Sequence, residues 1–406
     1  MKIRSITYFF NPGWPLDENK LQQAGNFLSH ARKAYENAGY EVQTVRIATA
    51  SFAAMLGEQI SAAPQLAENL EALLPSLGVE YASLGPAVPE APHSYAVIPE
   101  ALAHTQNIFF SGIAAERSSG ISLQALRACA QVIVQCAPLT PDGFANLRFA
   151  VLANVLPGSP FFPAAYQHGD QPAFAIATQA ADLAVEAFAA ADALHSAREN
   201  LVNAVGTHGR AMAAAARELA RQFQVDFGGI DFSLAPYPSA AQSLGGAVER
   251  FGVPKIGLHG SLAAAAILTE AIECADFPHT GFSGFMQPVL EDSVLAQRAA
   301  EGVLTIKDLL LYSTVCGTGL DTVPLPGDAS AEQITPLLLD LAALALRLNK
   351  PLTARLMPIP GKSAGDPTDF DFEFFANSRV MALATEPLTG LLAGGETFNI
   401  NSKNTN

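Results

Sequence analysis

Short apolar runs of strand character alternate with longer amphipathic stretches along most of this chain, and few folds accept that pattern. The expected strands are Ile3–Phe10, Val42–Ala48, Asn107–Ser111, Arg148–Asn154, Pro172–Ala177, Val253–Leu258, Phe282–Val289, Leu309–Val315 and Thr353–Pro358. Weaker ones lie near Val79–Leu84 and Phe227–Phe232. Expected helices cover Glu18–Ala38, Leu56–Leu77, Ser122–Cys136, Ala240–Phe251, Leu262–Cys274, Leu290–Glu301 and Ala331–Leu348. Strands separated by helices pair in parallel through crossovers, and runs such as LRFAVLA are apolar throughout, as strands covered on both faces require. The strand count exceeds the eight of a standard (β/α) barrel, so the expectation is a larger α/β barrel or a wide open sheet.

Residues 178–223 are rich in Ala, Glu, Arg and Leu at helical spacing, with Gly206 and Gly209 as expected breaks. Two core-packed helices are one reading; an arm against a second subunit is the other. The expected organisation is one domain over residues 1–398, followed by a disordered tail, 399–406.

The chain carries 23 Lys and Arg against 38 Asp and Glu, a net charge of −15. That balance argues against nucleic acid and anionic membrane surfaces as partners. The most apolar stretches, SLAAAAILTEA and PLLLDLAALAL, are too short and too acidic to span a bilayer. The four cysteines (Cys129, Cys136, Cys274, Cys316) are too scattered for a disulfide scaffold, which suits a reduced cytoplasm. The eight histidines form no metal-ligating pair on one helix.

Several segments carry chemistry. In Val315–Asp328 the amides around Gly317 and Gly319 suit an anion, and Cys316 stands where the strand-like LLLYST would end. Cys316 reads as a nucleophile or proton-transfer group, and Asp321 as its catalytic partner. A tight turn around an inert buried cysteine is the competing reading. In Gly281–Asp292, Ser283 lies between glycines as a substrate-binding hydroxyl. Glu291 and Asp292, together with Asp328, could ligate a divalent metal ion, or could simply cap a helix. Asp231 and Ser233 alternate, so on a strand they share one wall, with Asp231 a catalytic candidate and Ser233 a binding one. The prolines and aromatics of Asn154–Tyr166 could line a pocket or pack as a rim. Arg355 on a strand and Lys362 in a glycine loop could clamp a carboxylate or phosphate. Arg46 and Arg117 are further anion-binding candidates, and His259 is a candidate acid, base or binding residue.

The runs GYEVQTVRIAT, GIDFSLAP, GFSGFMQPVLED, YSTVCGTGLDTVPLPGD and KPLTARLMPIPGKSAGD resemble the family known as domain of unknown function 711, over nearly the whole chain. The resemblance implies a ten-stranded α/β barrel similar to that of pyruvate formate-lyase and other glycyl-radical enzymes, with long Ala-rich helices outside. It also implies a homodimer and an ACT-domain protein as partner. A glycyl radical is not expected: the nearest match to the radical motif is Arg379-Val380-Met381-Ala382-Leu383, with alanine where the radical glycine would stand. The leading expectation is an enzyme acting on a small carboxylate-bearing metabolite. Its rivals are a ligand-binding regulatory protein and a divalent-metal-dependent hydrolase or lyase.

Overall fold

A computed structural model describes residues 1–403. Its strands are β1 (Lys2–Phe10), β2 (Val42–Thr49), β3 (Tyr81–Ala87), β4 (Ile108–Glu116), β5 (Gly120–Ser122), β6 (Phe149–Ala153), β7 (Ala173–Gln179), β8 (Asp226–Asp231), β9 (Gly319–Pro326), β10 (Leu352–Ile359) and β11 (Thr397–Phe398). They form one sheet in the order β8-β7-β1-β2-β3-β4-β6-β10-β9, with β5 and β11 added beside β4. The neighbours β1, β2, β3, β4 and β6 are mutually parallel. The pairs β7–β8 and β9–β10 are parallel within themselves and antiparallel to that central set. The structure is therefore a mixed α/β fold whose edge strands, β8 and β9, are not paired to each other.

Residues 278–291 run between those edges. Ile230 N donates to Pro278 O (2.8 Å), Thr280 N to Ile230 O (3.1 Å) and Leu234 N to Gly284 O (3.1 Å) on the β8 side. On the β9 side Val289 N donates to Asp321 O (3.0 Å). Single parallel bridges join Ile230 to His279 and Pro288 to Asp321. The strand expected at Phe282–Val289 is thus an irregular strap: Gly281, Ser283 and Gly284 break the ladder, and Gly281 and Ser283 have positive φ.

Helices cover one face of the sheet. Ile3, Ile6, Tyr8 and Phe10 of β1 join a large apolar core with Phe27, Leu28 and Ala31 of the helix Glu18–Asn37. Phe9 lies with Ala48, Phe109 and Phe162 in a small separate cluster, so the alternating residues of these strands point to the other face. The strap and residues 154–166 lie on that face, where Phe161 and Phe162 pack on Phe282 and Phe109 respectively.

The structure differs from the sequence reading in five further places. LLLYST is not a strand but lies on and just after the helix Ile306–Tyr312, capped by Thr305 with Asp308 as a capping box. The loop expected after Cys316 contains strand β9; its Pro324 and Pro326 are tolerated because β9 is an edge strand. Val253–Leu258 forms turns carrying one isolated bridge. In residues 178–223 the break falls at 190–193, after the helix Ala181–Ala189, and not at the glycines. The helix Leu194–Phe223 runs through Gly206 and Gly209, both buried, with Gly209 against the Phe277 ring. Its buried face packs on its own chain. The expected tail is bonded as far as Lys403, whose N donates to Arg347 O (2.9 Å), while Arg347 Nη1 donates to Asn401 O (2.8 Å). Residues 404–406 of that tail lie outside the described residues. Among the described residues no helix is long and apolar enough to cross a membrane.

Gly319 opens β9 at φ +94°, where a Cβ would stand 2.3 Å from Thr353 O. Gly319→Ala should therefore cost well over the ~1 kcal/mol of the backbone term alone. Gly158→Ala, with open space around it, should cost only that term; urea unfolding of both variants reads the difference.

Candidate functional site

The strand registers concentrate charge on the face opposite the helices. Between β9 and β10 the pairing slips, so that Asp321 and Thr322 both oppose Arg355; Thr322 takes φ +44° at this bulge. Arg355 Nε donates to Asp321 Oδ1 (2.6 Å) and Arg355 Nη2 to Glu291 Oε1 (2.8 Å). A second bulge in β1, between Ile3 and Ser5, turns Arg4 to the same face, where its guanidinium meets the other oxygen of Glu291. Glu291 is thus clamped between two guanidinium groups that come from β1 and from β10.

Beside this network stands Arg46 of β2, register partner of Thr7. Its Nε donates to Thr44 Oγ1 (2.8 Å), and its guanidinium lies 5.0 Å from the centre of the Phe162 ring and 5.7 Å from that of Tyr81. Among the described residues it has no carboxylate partner. Burial, with Arg4 nearby, lowers the Arg46 pKa to about 9. Arg355 is overlaid by the Phe161 ring at 5.6 Å. Several fully buried polar atoms around these residues also lack partners among the described residues: Asp321 Oδ2, Arg4 Nη1, Ser5 Oγ and Thr7 Oγ1.

The titration behaviour follows from this packing. Burial raises Asp321, an effect enlarged by Glu291 and opposed by Arg355. Burial also pushes Glu291 upward, but Arg4 and Arg355 outweigh it and hold the carboxyl below its ordinary range. Burial works against charged Arg355 as well, yet Asp321 and Glu291 leave its pKa raised.

Other candidates have structural employment. Asp231 and Ser233 do come together, with Ser233 Oγ donating to Asp231 Oδ1 (2.5 Å). Asp231 also accepts from the amides of Phe282 and Ser283, both at 2.9 Å, and so anchors the strap. A Cβ on Gly281 would lie 2.2 Å from Asp231 Oδ2. Ser283 Oγ donates to carbonyls of the same turn, Ile230 O and Thr280 O. Asp292 caps the helix Ser293–Ala300 through the amides of Val294 and Leu295, as the helix-cap reading has it. It also accepts from Ser243 Oγ (2.6 Å), Leu244 N (2.6 Å) and Gly245 N (3.1 Å), at the start of a second helix, Leu244–Arg250. Asp328 is exposed in a turn, so Glu291, Asp292 and Asp328 do not share a site. Among the described residues no group of three or more His, Cys, Asp or Glu side chains is placed to hold a metal ion.

Cys316 is fully buried in the helix-side core, where its sulfur meets the Gln287 amide at 3.6 Å. It precedes β9 instead of ending a strand, and no hydrogen bond joins it to Asp321 or Arg355 among the described residues. Gly317 and Gly319 allow close packing, Gly317 against Phe282 O and Gly319 against Thr353 O. Lys362 does not join Arg355: its amine donates to Pro367 O (2.6 Å) and Asp369 Oδ1 (2.8 Å) within its own loop. His259 and Arg117 are exposed. Ala382 lines a surface groove with Leu304 and Leu310, away from the charged face. Arg4 is the site residue that sequence reasoning missed. Its position two residues before a strand's first central positions carries no motif; only the β1 bulge makes it inward.

The family described as "Uncharacterised ACR (DUF711)" matches residues 1–377. The chain belongs to the DUF711 family. Among its DUF711 relatives, a UPF0210 protein of Pyrobaculum arsenaticum is 32% identical over 397 residues, covering 90% of this chain and 87% of the relative. One from Pyrobaculum islandicum is 32% identical over 370 residues, covering 84% and 80%. One from Acetivibrio thermocellus is 34% identical over 286 residues, covering 68% and 63%. The DUF711 resemblance read from the sequence is therefore correct, and neither the family description nor these names state a function.

Two measurements check the assignments of structural role. Asp292→Ala should lose about 3 kcal/mol of unfolding free energy, because two helix starts lose their acceptor together. Glu291, lowered in the folded state, stabilises the fold above the ordinary Glu pKa of about 4.3, and this contribution is lost as pH falls through its folded value. The stability gap between the wild type and Glu291→Gln should accordingly be widest near pH 7 and close below about pH 4.

Proposed function

We propose that this chain binds a small carboxylate-bearing metabolite on the face opposite the helices, with Arg46 and Arg4 holding the carboxylate. The observation that carries the reading is Arg46: a half-buried guanidinium, held by aromatic rings and a threonine, with no acid of its own among the described residues. Packing a cation against rings costs it solvation, and an incoming carboxylate would offset that cost. The rings of Tyr81 and Phe162 hold the guanidinium without using its N–H groups, so its fork stays available for two-point contact with an oxyanion.

The wall around the ligand would be a ten-membered α/β barrel. Supporting this are the two oppositely directed sets of strands and the strap at 278–291, which bonds to both edges where a tenth strand would stand. The strap also delivers Glu291 to the arginines.

In this reading the protein is an enzyme and Asp321 is its proton-transfer group. Its Oδ2 has no partner among the described residues, and burial raises its pKa. Cys316, turned into the helix-side core, plays no part in this scheme. A second reading, a ligand-binding regulator working through a partner such as an ACT-domain protein, draws support from an apolar surface groove of about 770 Å³ lined by Leu304, Ile306, Leu310, Leu337, Met381 and Leu383.

Calorimetric titration with a panel of small carboxylates tests the binding. A carboxylate at 100 times its dissociation constant should stabilise the wild type by about 2.7 kcal/mol. Arg46→Met keeps the aliphatic stem between the rings but removes the charge. It should abolish that response while leaving the unliganded protein as stable as the wild type, or more so; a variant that binds carboxylates normally would refute the site. Solvent-deuterium incorporation into the saturating ligand, lost by at least about 100-fold in Asp321→Asn, separates the enzyme from the regulator, which would bind without exchange.

A further inference from the structure

The partnerless atoms on the charged face have a definite polarity. Arg4 Nη1 and the free edge of the Arg46 guanidinium can only donate hydrogen bonds. Asp321 Oδ1 is taken by Arg355 Nε, and in the ionised carboxylate the partnerless Oδ2 can only accept. Ser5 and Thr7, on the strand that neighbours Arg46, offer hydroxyls that can do either. Thr44 Oγ1 accepts from Arg46 Nε and donates to Arg4 O, Arg4 and Arg355 share Glu291, and Arg355 holds Asp321, so one chain of direct contacts links the donor end to the acceptor end. A simple carboxylate satisfies the arginines and leaves Asp321 Oδ2 buried without a donor, which a folded protein rarely tolerates.

Charge narrows the choice. Arg4, Arg46 and Arg355 face Glu291 and Asp321, leaving one positive charge over. A monoanion cancels it; a zwitterion does not. Phe109, Phe161 and Phe162 pack around the same face and limit the size of what fits.

We infer that the ligand is a small hydroxy monocarboxylate: its carboxylate lies on Arg46 and Arg4, and its hydroxyl donates to Asp321 Oδ2. This rests on the carboxylate site proposed above and adds the second group that the site reads. Asp321 is then the residue that decides specificity, because it rejects any ligand that lacks a donor beside its carboxylate.

The test is calorimetric titration of the intact chain with lactate, alanine, propionate and pyruvate. The wild type should bind lactate at least about 10-fold tighter than propionate, the loss expected when a buried acceptor goes unpaired. Lactate should also exceed alanine, which brings no net charge, and pyruvate, which brings an acceptor. Asp321→Asn keeps an oxygen toward Arg355 and turns the free position into a donor, so it should invert the order of lactate and pyruvate. Propionate binding that equals lactate binding, with both lost in Arg46→Met, overturns this inference and leaves the carboxylate site standing. Alanine tighter than lactate overturns it as well. Failure of every carboxylate to bind the wild type overturns the site and the inference together. The wild-type series decides between lactate and propionate without any variant, so a poorly folded Asp321→Asn does not remove the test.

Discussion

Glu291 is held by two arginines that enter from far apart in the sequence, and much of the molecule's form depends on that clamp. Arg4 comes from β1, third from the β8 edge, and Arg355 from β10, beside the opposite edge strand β9. For both to reach one carboxylate the sheet must curve until these strands face each other across the strap. A buried ion pair of this kind adds little net stability over apolar packing, yet it is expensive to break. Its value is geometric: the charges meet in only one arrangement of strands, and a register slip in β1 or β10 would strand them.

The bulges at β1 and at β9–β10 show how the backbone yields to this demand. Each places a charged residue on a face that simple alternation would have denied it or crowded. The positive φ at Thr322 and at Ser283 lies beside the same network, where strain is held in place by the surrounding hydrogen bonds. The aromatic residues of 154–166 then shield the arginines and raise the cost of leaving a charge unmatched.

The fold was largely legible because buried parallel strands announce themselves as continuous apolar runs: β1, β2, β6 and β10 fall where those runs are. β9 was hidden because its glycine and prolines imitate a loop, and an edge strand can carry them. Helix Ile306–Tyr312 was hidden because seven mostly apolar residues fit either period. For the site, Asp321, Arg355, Glu291 and Arg46 stood out as charges inside apolar segments, and the structure gathers them. Cys316 stood out as well, but chemical type does not tell which face of the sheet a residue near a turn will join. Arg4 escaped because its inward turn depends on a bulge that local sequence does not signal. Asp292 displays the opposite case, a carboxylate whose surroundings consume it completely in joining two helices.

The separation of Arg4 and Arg46 from Glu291 along the chain has a bearing on how the molecule assembles. Strands β1 to β4 can associate early, since β1 and β2 and then β3 and β4 are successive parallel neighbours. A partly built sheet of this kind displays two guanidinium groups on one face while Glu291 is still hundreds of residues away. Until the strap docks, Glu291 supplies no counter-charge to either of them. The charge balance of this face is therefore a property of the completed sheet with its strap and not of the strands that first carry the arginines.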